Sequence, residues 1–84
     1  MRIDILYKNN DYETDAVYDD KSDSVWFVVK NNTGDGASIL GCGYLQSIET
    51  TREQLASIMP SVNGDATLDE MAESVSAEYA GRLA

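Results

Sequence analysis

Residues 38–59 read SILGCGYLQSIETTREQLASIM, and the spacing of the apolar positions changes within this stretch. Ile39 and Leu45 share one parity, with Gly41 and Gly43 on the same parity between them, the two-residue alternation of a strand. Further on, Leu55, Ile58 and Met59 fall on one face at helical spacing. Between the two, Thr50-Thr51-Arg52-Glu53 reads as a capping box, with Thr50 as the N-cap and Glu53 at the third helical position. A strand therefore hands over to a helix near residue 49.

Toward the N-terminus every apolar pattern is strand-like. Val25-Trp26-Phe27-Val28-Val29 is β-branched and aromatic, the composition of a central strand. Tyr12 to Tyr18 alternates, as do Ile3, Ile5 and Tyr7 against Arg2, Asp4 and Lys8. Asn9-Asn10-Asp11, Asp19 to Ser24 and Thr33-Gly34-Asp35-Gly36 supply the turns. Toward the C-terminus the pattern stays helical. Pro60 stops the first helix, because it disfavours helical geometry in the residue before it. After the loop Asn63-Gly64-Asp65, a second capping box at Thr67-Leu68-Asp69-Glu70 opens a helix through Met71, Ala72, Val75, Tyr79 and Leu83.

The predicted fold is α+β: a four-stranded, mostly antiparallel sheet in ββββαα order, with two C-terminal helices on one face. An 84-residue chain makes one domain. Residues 1–48 form its sheet part and residues 49–84 its helical part. Parity assigns Ile3, Ile5, Tyr7, Val25, Phe27, Val29, Ile39 and Leu45 to the face under the helices. The two glycines there allow close helix approach. The core is expected to gather Ile5, Phe27, Val29, Leu55, Ile58, Met71 and Val75. The other face receives Leu6, Trp26, Val28, Leu40, Cys42 and Tyr44, with Asp4, Lys8 and Lys30 among them. Two short helices cannot cover both faces, so this second face is a candidate interaction surface.

Fifteen acidic residues stand against six basic ones, a formal net charge of −9 with no histidine. Such a charge repels nucleic acid and anionic membranes and suits a basic partner. The absence of histidine removes the commonest general base and the commonest metal ligand. Apolar residues make up 43% of the chain, too many for a disordered acidic tail.

Two acidic clusters stand out. Asp11, Glu13, Asp15, Asp19, Asp20 and Asp23 are relieved only by Lys21. Asp65, Asp69, Glu70, Glu73 and Glu78 have no basic residue between them. Helical spacing makes neighbours of Asp69 and Glu73, and of Glu70 and Glu73. The plain reading of both is a solvated acidic surface; the functional reading is an array of carboxylates imitating a nucleic-acid backbone.

Ordinary site chemistries fail on their residues. Asn31, Thr33, Asp35 and Gly36 follow calcium-loop spacing, but the position of the bidentate glutamate is Cys42. One cysteine without histidine supplies no standard zinc site. Cys42 lacks a histidine to activate it and reads as a small packed hydrophobe. Carboxylate-only catalysis needs a cleft that a small two-layer domain hardly offers. No leader pattern or membrane-length apolar run is present in the printed sequence, and a lone cysteine suits a reducing compartment, so a cytoplasmic location is expected.

These exclusions leave a small acidic, non-catalytic protein-binding module as the expected function. Its sharper form is an inhibitor of phage or mobile-element type that occludes the basic nucleic-acid-binding surface of a target protein. The expected contact residues are Asp11, Glu13, Asp15, Asp19, Asp20, Asp23, Trp26 and Tyr44, with a secondary acidic patch at Asp69, Glu70 and Glu73. No cofactor, metal, membrane or direct nucleic-acid partner is expected; a homodimer is open. The alternatives are a structural or assembly subunit whose acidity only maintains solubility, and a salt-adapted small domain.

Overall fold

The computed structural model describes residues 3–32, 38–62 and 66–83. Four strands come first: β1 (Ile3–Lys8), β2 (Tyr12–Asp19), β3 (Ser24–Asn31) and β4 (Ser38–Tyr44). Helix α1 (Ile48–Ile58), a 3₁₀ turn (Pro60–Val62) and helix α2 (Ala66–Leu83) follow. The strands lie in the order β1-β2-β3-β4 and every neighbouring pair is antiparallel. The fold is therefore α+β, a meander with both helices after it.

Both helices lie on one face, where Phe27 and Val29 of the sheet meet Leu55, Met71 and Val75 of the helices, all five fully buried. Two hydrogen bonds pin α2 across β1. Tyr79 donates to the Asp4 carboxylate at 2.5 Å, and Tyr7 donates to Glu70 at 3.2 Å. Thr51 and Ser76 form a buried polar link between the helices. Ser76 Oγ lies 2.9 Å from both Thr51 Oγ1 and the Gln46 carbonyl, and Thr51 donates to that carbonyl at 3.3 Å. The pairing satisfies the Gln46 carbonyl just ahead of α1.

Two β-bulges revise the predicted faces. The register between β1 and β2 slips between Ile5 and Tyr7, so Leu6 is an extra residue. The register between β3 and β4 slips between Val29 and Lys30, so Leu40 is extra. An inserted residue inverts the alternation on one side of it. Ile5 now sits opposite Asp15 and Ile39 opposite Lys30, on the face away from the helices. They are 62% and 72% exposed, not core residues. The same slip turns Asp4 to the helix side, opposite Ala16, and Leu6 packs against the core. Ile58 is half-buried at the core's rim. Cys42 is exposed rather than packed.

Both predicted caps are also revised. Ser47, not Thr50, is the N-cap of α1: its Oγ accepts from the Thr50 amide at 3.3 Å, and its carbonyl accepts from Thr51. An earlier serine wins because the chain turns into the helix directly after β4. Helix α2 starts at Ala66, so Thr67 lies inside its first turn rather than capping it. Helix α1 does end at Ile58, immediately before Met59-Pro60, as the proline requires.

Candidate functional site

Among the described residues no element covers the second face of the sheet. Trp26 on β3 and Tyr44 on β4 are register partners there, with ring centroids 3.7 Å apart at an interplanar angle of 31°. Val17, Val28, Cys42, Ile5 and Ile39 share the face by the same pairing. Cross-strand aromatic packing of this kind stabilises the pair and leaves Tyr44 44% exposed.

The charges on this face are paired. Asp15 is only 3% exposed, and Lys30 binds its Oδ2 at 2.5 Å. Its other oxygen, Oδ1, is buried without a hydrogen-bond partner. Glu13 lies 3.9 Å from Lys30 and 3.7 Å from Lys8. The hydrogen bond that Lys30 donates to Asp15 raises the Lys30 pKa above its ordinary value, against an opposing desolvation effect. Lys30 from β3 thus reaches both Glu13 and Asp15, and Lys8 from β1 reaches Glu13.

The remaining members of the first acidic cluster lie at opposite ends of β2. Asp11 is exposed in the β1–β2 turn, where its amide donates to Asn9 Oδ1 at 2.8 Å. Asp19, Asp20 and Asp23 lie at the β2–β3 turn. Asp19 accepts from the Lys21 amide and the Ser22 hydroxyl, shaping that turn. Asp23 takes a left-handed backbone, φ 52°, a conformation aspartate tolerates better than most residues, and accepts from the Tyr18 hydroxyl. That hydrogen bond, then desolvation and the turn's carboxylates, raises the Tyr18 pKa. Strand rise separates Asp11 from Asp20 by about 30 Å. The two ends are therefore electrostatically independent beyond a screening length of about 8 Å. The structure does not gather the first cluster into one array.

The helices gather more acid than the sequence reading assigned to them. Glu49 and Glu53 of α1 and Asp69, Glu70, Glu73 and Glu78 of α2 are all exposed. Arg52 crosses between the helices to bind Asp69 at 2.6 Å. Asn9 donates to the Tyr7 hydroxyl, which donates to Glu70, so the Asp11 turn adjoins this helical patch. Burial raises the Tyr7 pKa; the Asn9 bond opposes this and Glu70 adds to it. Glu49 and Glu53 were missed because Glu53 was read as part of a cap. With Ser47 as the cap, both become exposed helical residues one turn apart.

A pocket of about 290 Å³ opens on the helix side, lined by Ala16, Tyr18, Val25 and Tyr79. Its wall is mostly apolar, and the Tyr79 hydroxyl is committed to Asp4. Among the described residues no three acidic or cysteine side chains converge as metal ligands, and no helix is long and apolar enough to cross a membrane. No family model, curated protein or solved structure matches the chain.

Proposed function

We propose that this chain is a small non-catalytic protein-binding module that presents carboxylates to a basic protein surface and occludes it. The observation that carries the reading is the helical layer. Glu49, Glu53, Asp69, Glu70, Glu73 and Glu78 are exposed there, with Arg52 bound to Asp69 between the helices. Helix rise spaces the i,i+4 pairs by about 6 Å. Like charges at that spacing repel one another and gain when arginine or lysine side chains approach. The partner this surface fits is a nucleic-acid-binding protein of the kind that phages and mobile elements inhibit, since its basic groove already accepts a row of anions. The acidity also speeds encounter through long-range attraction.

Relative to the sequence reading, the weight moves from Glu13 and Asp15 to the helical patch, because those two carboxylates already hold lysines. The test is a side-by-side capture with the native chain and with a chain carrying Glu49→Gln, Glu53→Gln, Glu70→Gln and Glu73→Gln. Proteins retained only by the native chain should bind nucleic acid and be released by it. Equal capture by both chains would contradict the reading.

A further inference from the structure

We propose that the helix-free face of the sheet pairs with a second copy of this chain, face to face, in a weak isologous dimer. Three observations carry this, and none rests on the helical carboxylates.

The first is charge. The chain carries −9, yet on this face Lys8 and Lys30 are in contact with Glu13 and Asp15, and the register adds only Asp19 at the far end of β2. Two of the chain's six basic residues are thus spent on a surface that is nearly neutral beside the rest of the chain. A basic partner gains nothing from such a face, and neither does a nucleic acid. A second copy turned over on it presents the same lysines and carboxylates, and a self-complementary interface needs both signs on one surface.

The second is the use of the bulges. Each one turns an isoleucine, Ile5 or Ile39, away from the core and onto the face that carries Val28, Trp26 and Tyr44. Bulges re-aim side chains. Two of them delivering large apolar groups to one surface is costly in water and gains only when that surface is covered.

The third is the state of the sheet's edges. Both outer strands, β1 and β4, are interrupted by those bulges, and Gln54 occupies the main-chain groups of Tyr44 on β4. Edge-to-edge pairing is therefore blunted, which leaves the face of the sheet rather than its edges for pairing with a second copy. Strand spacing and rise give it a footprint on the order of 450 Å² per copy. Two copies bury on the order of 900 Å², below the size of permanent dimers and within the range of transient ones.

Sedimentation velocity from micromolar to near-millimolar concentration tests this. The expected result is a monomer–dimer equilibrium that strengthens as salt is added, because salt screens the repulsion between two −9 bodies. This sign is opposite to that of binding to a basic partner, so failure here and failure of the carboxylate reading are distinguishable. Val28→Lys, which appears twice in the interface, should weaken dimerisation by about tenfold or more while the far-ultraviolet dichroism stays native. Cys42, exposed on the same face, should react with a maleimide more slowly as concentration rises. That readout needs no substitution and decides the matter if Val28→Lys does not fold. A monomer at every concentration and salt, or Cys42 reactivity independent of concentration, would overturn the proposal. So would dimerisation that a folded Val28→Lys leaves unchanged.

Discussion

Gln54 of α1 bonds both main-chain groups of Tyr44 on the outer strand β4. Its Oε1 accepts from the Tyr44 amide at 3.0 Å and its Nε2 donates to the Tyr44 carbonyl at 3.0 Å. A side-chain amide thus takes the place of a neighbouring strand, satisfying two groups that an open edge would leave to water or to another chain. The contact joins the helical layer to the sheet at the point where the chain passes from β4 to α1.

Gly43 makes that contact possible, so Gly43→Ala is expected to break it. A Cβ there would lie 2.3 Å from Gln54 Oε1 and 2.8 Å from Phe27 Cζ. Gln54 can swing away at the loss of its bonds; Phe27, fully buried, has nowhere to go. The expected loss is about 1–3 kcal/mol of unfolding free energy, read from urea denaturation. Gly41→Ala meets only the Ile58 side chain at the core's rim and should cost less. Equal effects would show that Phe27 is not held where it is placed.

Thr14→Val should stabilise the domain. Thr14 is fully buried between β1 and β3, and its hydroxyl has no hydrogen-bond partner. Valine has the same shape, suits a strand and leaves no polar atom buried unpaired. A gain of about 1 kcal/mol is expected, measured as a higher denaturation midpoint with unchanged slope. A loss would mean that the hydroxyl has a partner in solution.

Lys30→Met removes the cation from a carboxylate that has no access to water. Asp15 keeps one oxygen unpaired already, so the loss should destabilise by about 1–3 kcal/mol, discounted because Lys30 is itself part-exposed. Adding Asp15→Asn should restore part of it, since the cost lies in an unpaired buried charge. If the double variant is no better than Lys30→Met alone, the pair is not what holds β2 and β3 together here.

The titration shifts of Lys30, Tyr7 and Tyr18 have one sign and so define one pH window. Lys30 is raised above 10.5 by its bond to Asp15, Tyr7 above 10.0 by burial, and Tyr18 above 10.0 by its bond to Asp23. A raised folded-state pKa means that the protonated form is favoured by folding. That contribution is complete below pH 10 and is lost as pH rises through and above it. The urea midpoint should therefore fall over the interval above about pH 10, and Tyr18→Phe should flatten part of the fall. A midpoint independent of pH across that interval would remove these three contacts from the folded state.

The order of elements was legible because each strand and helix repeats its apolar period over several residues. Val25 to Val29 and Leu68 to Tyr79 are buried where the periodicity puts them. The faces of β1 and β4 were not fully legible, since a bulge inserts one residue without any turn residue to announce it. Leu6 and Leu40 look like ordinary members of an alternating strand, and the inversion of Ile5 and Ile39 follows from them alone. The cap at Ser47 was hidden by the better-looking Thr50–Glu53 pattern. The candidate site was read from charge along the chain, whereas charge in space depends on partners from other strands. Lys8 and Lys30 reach Glu13, and Lys30 reaches Asp15, from β1 and β3, which no local window reveals.

The steering part of the proposed function separates cleanly by location. Amide substitutions at Asp19, Asp20 and Asp23 should slow association with a basic partner modestly and in proportion to charge removed. Substitutions at Glu49, Glu53, Glu70 and Glu73 should also speed dissociation, because contacting carboxylates are desolvated and steering ones are not. Surface-plasmon kinetics on a captured partner reads both rates. Identical rate changes from the two sets would mean that neither patch is in the contact.

The most direct measurement is competition at equilibrium. A captured partner is loaded with a fluorescent nucleic acid, and the native chain is titrated in at two salt concentrations. If the helical carboxylates occupy the partner's basic groove, the nucleic acid is displaced fully at the lower salt and with weaker apparent affinity at the higher. The chain with Gln at 49, 53, 70 and 73 then displaces little of it. Formation of a stable ternary complex, in which chain and nucleic acid are bound together and neither salt nor the four substitutions matter, would contradict it.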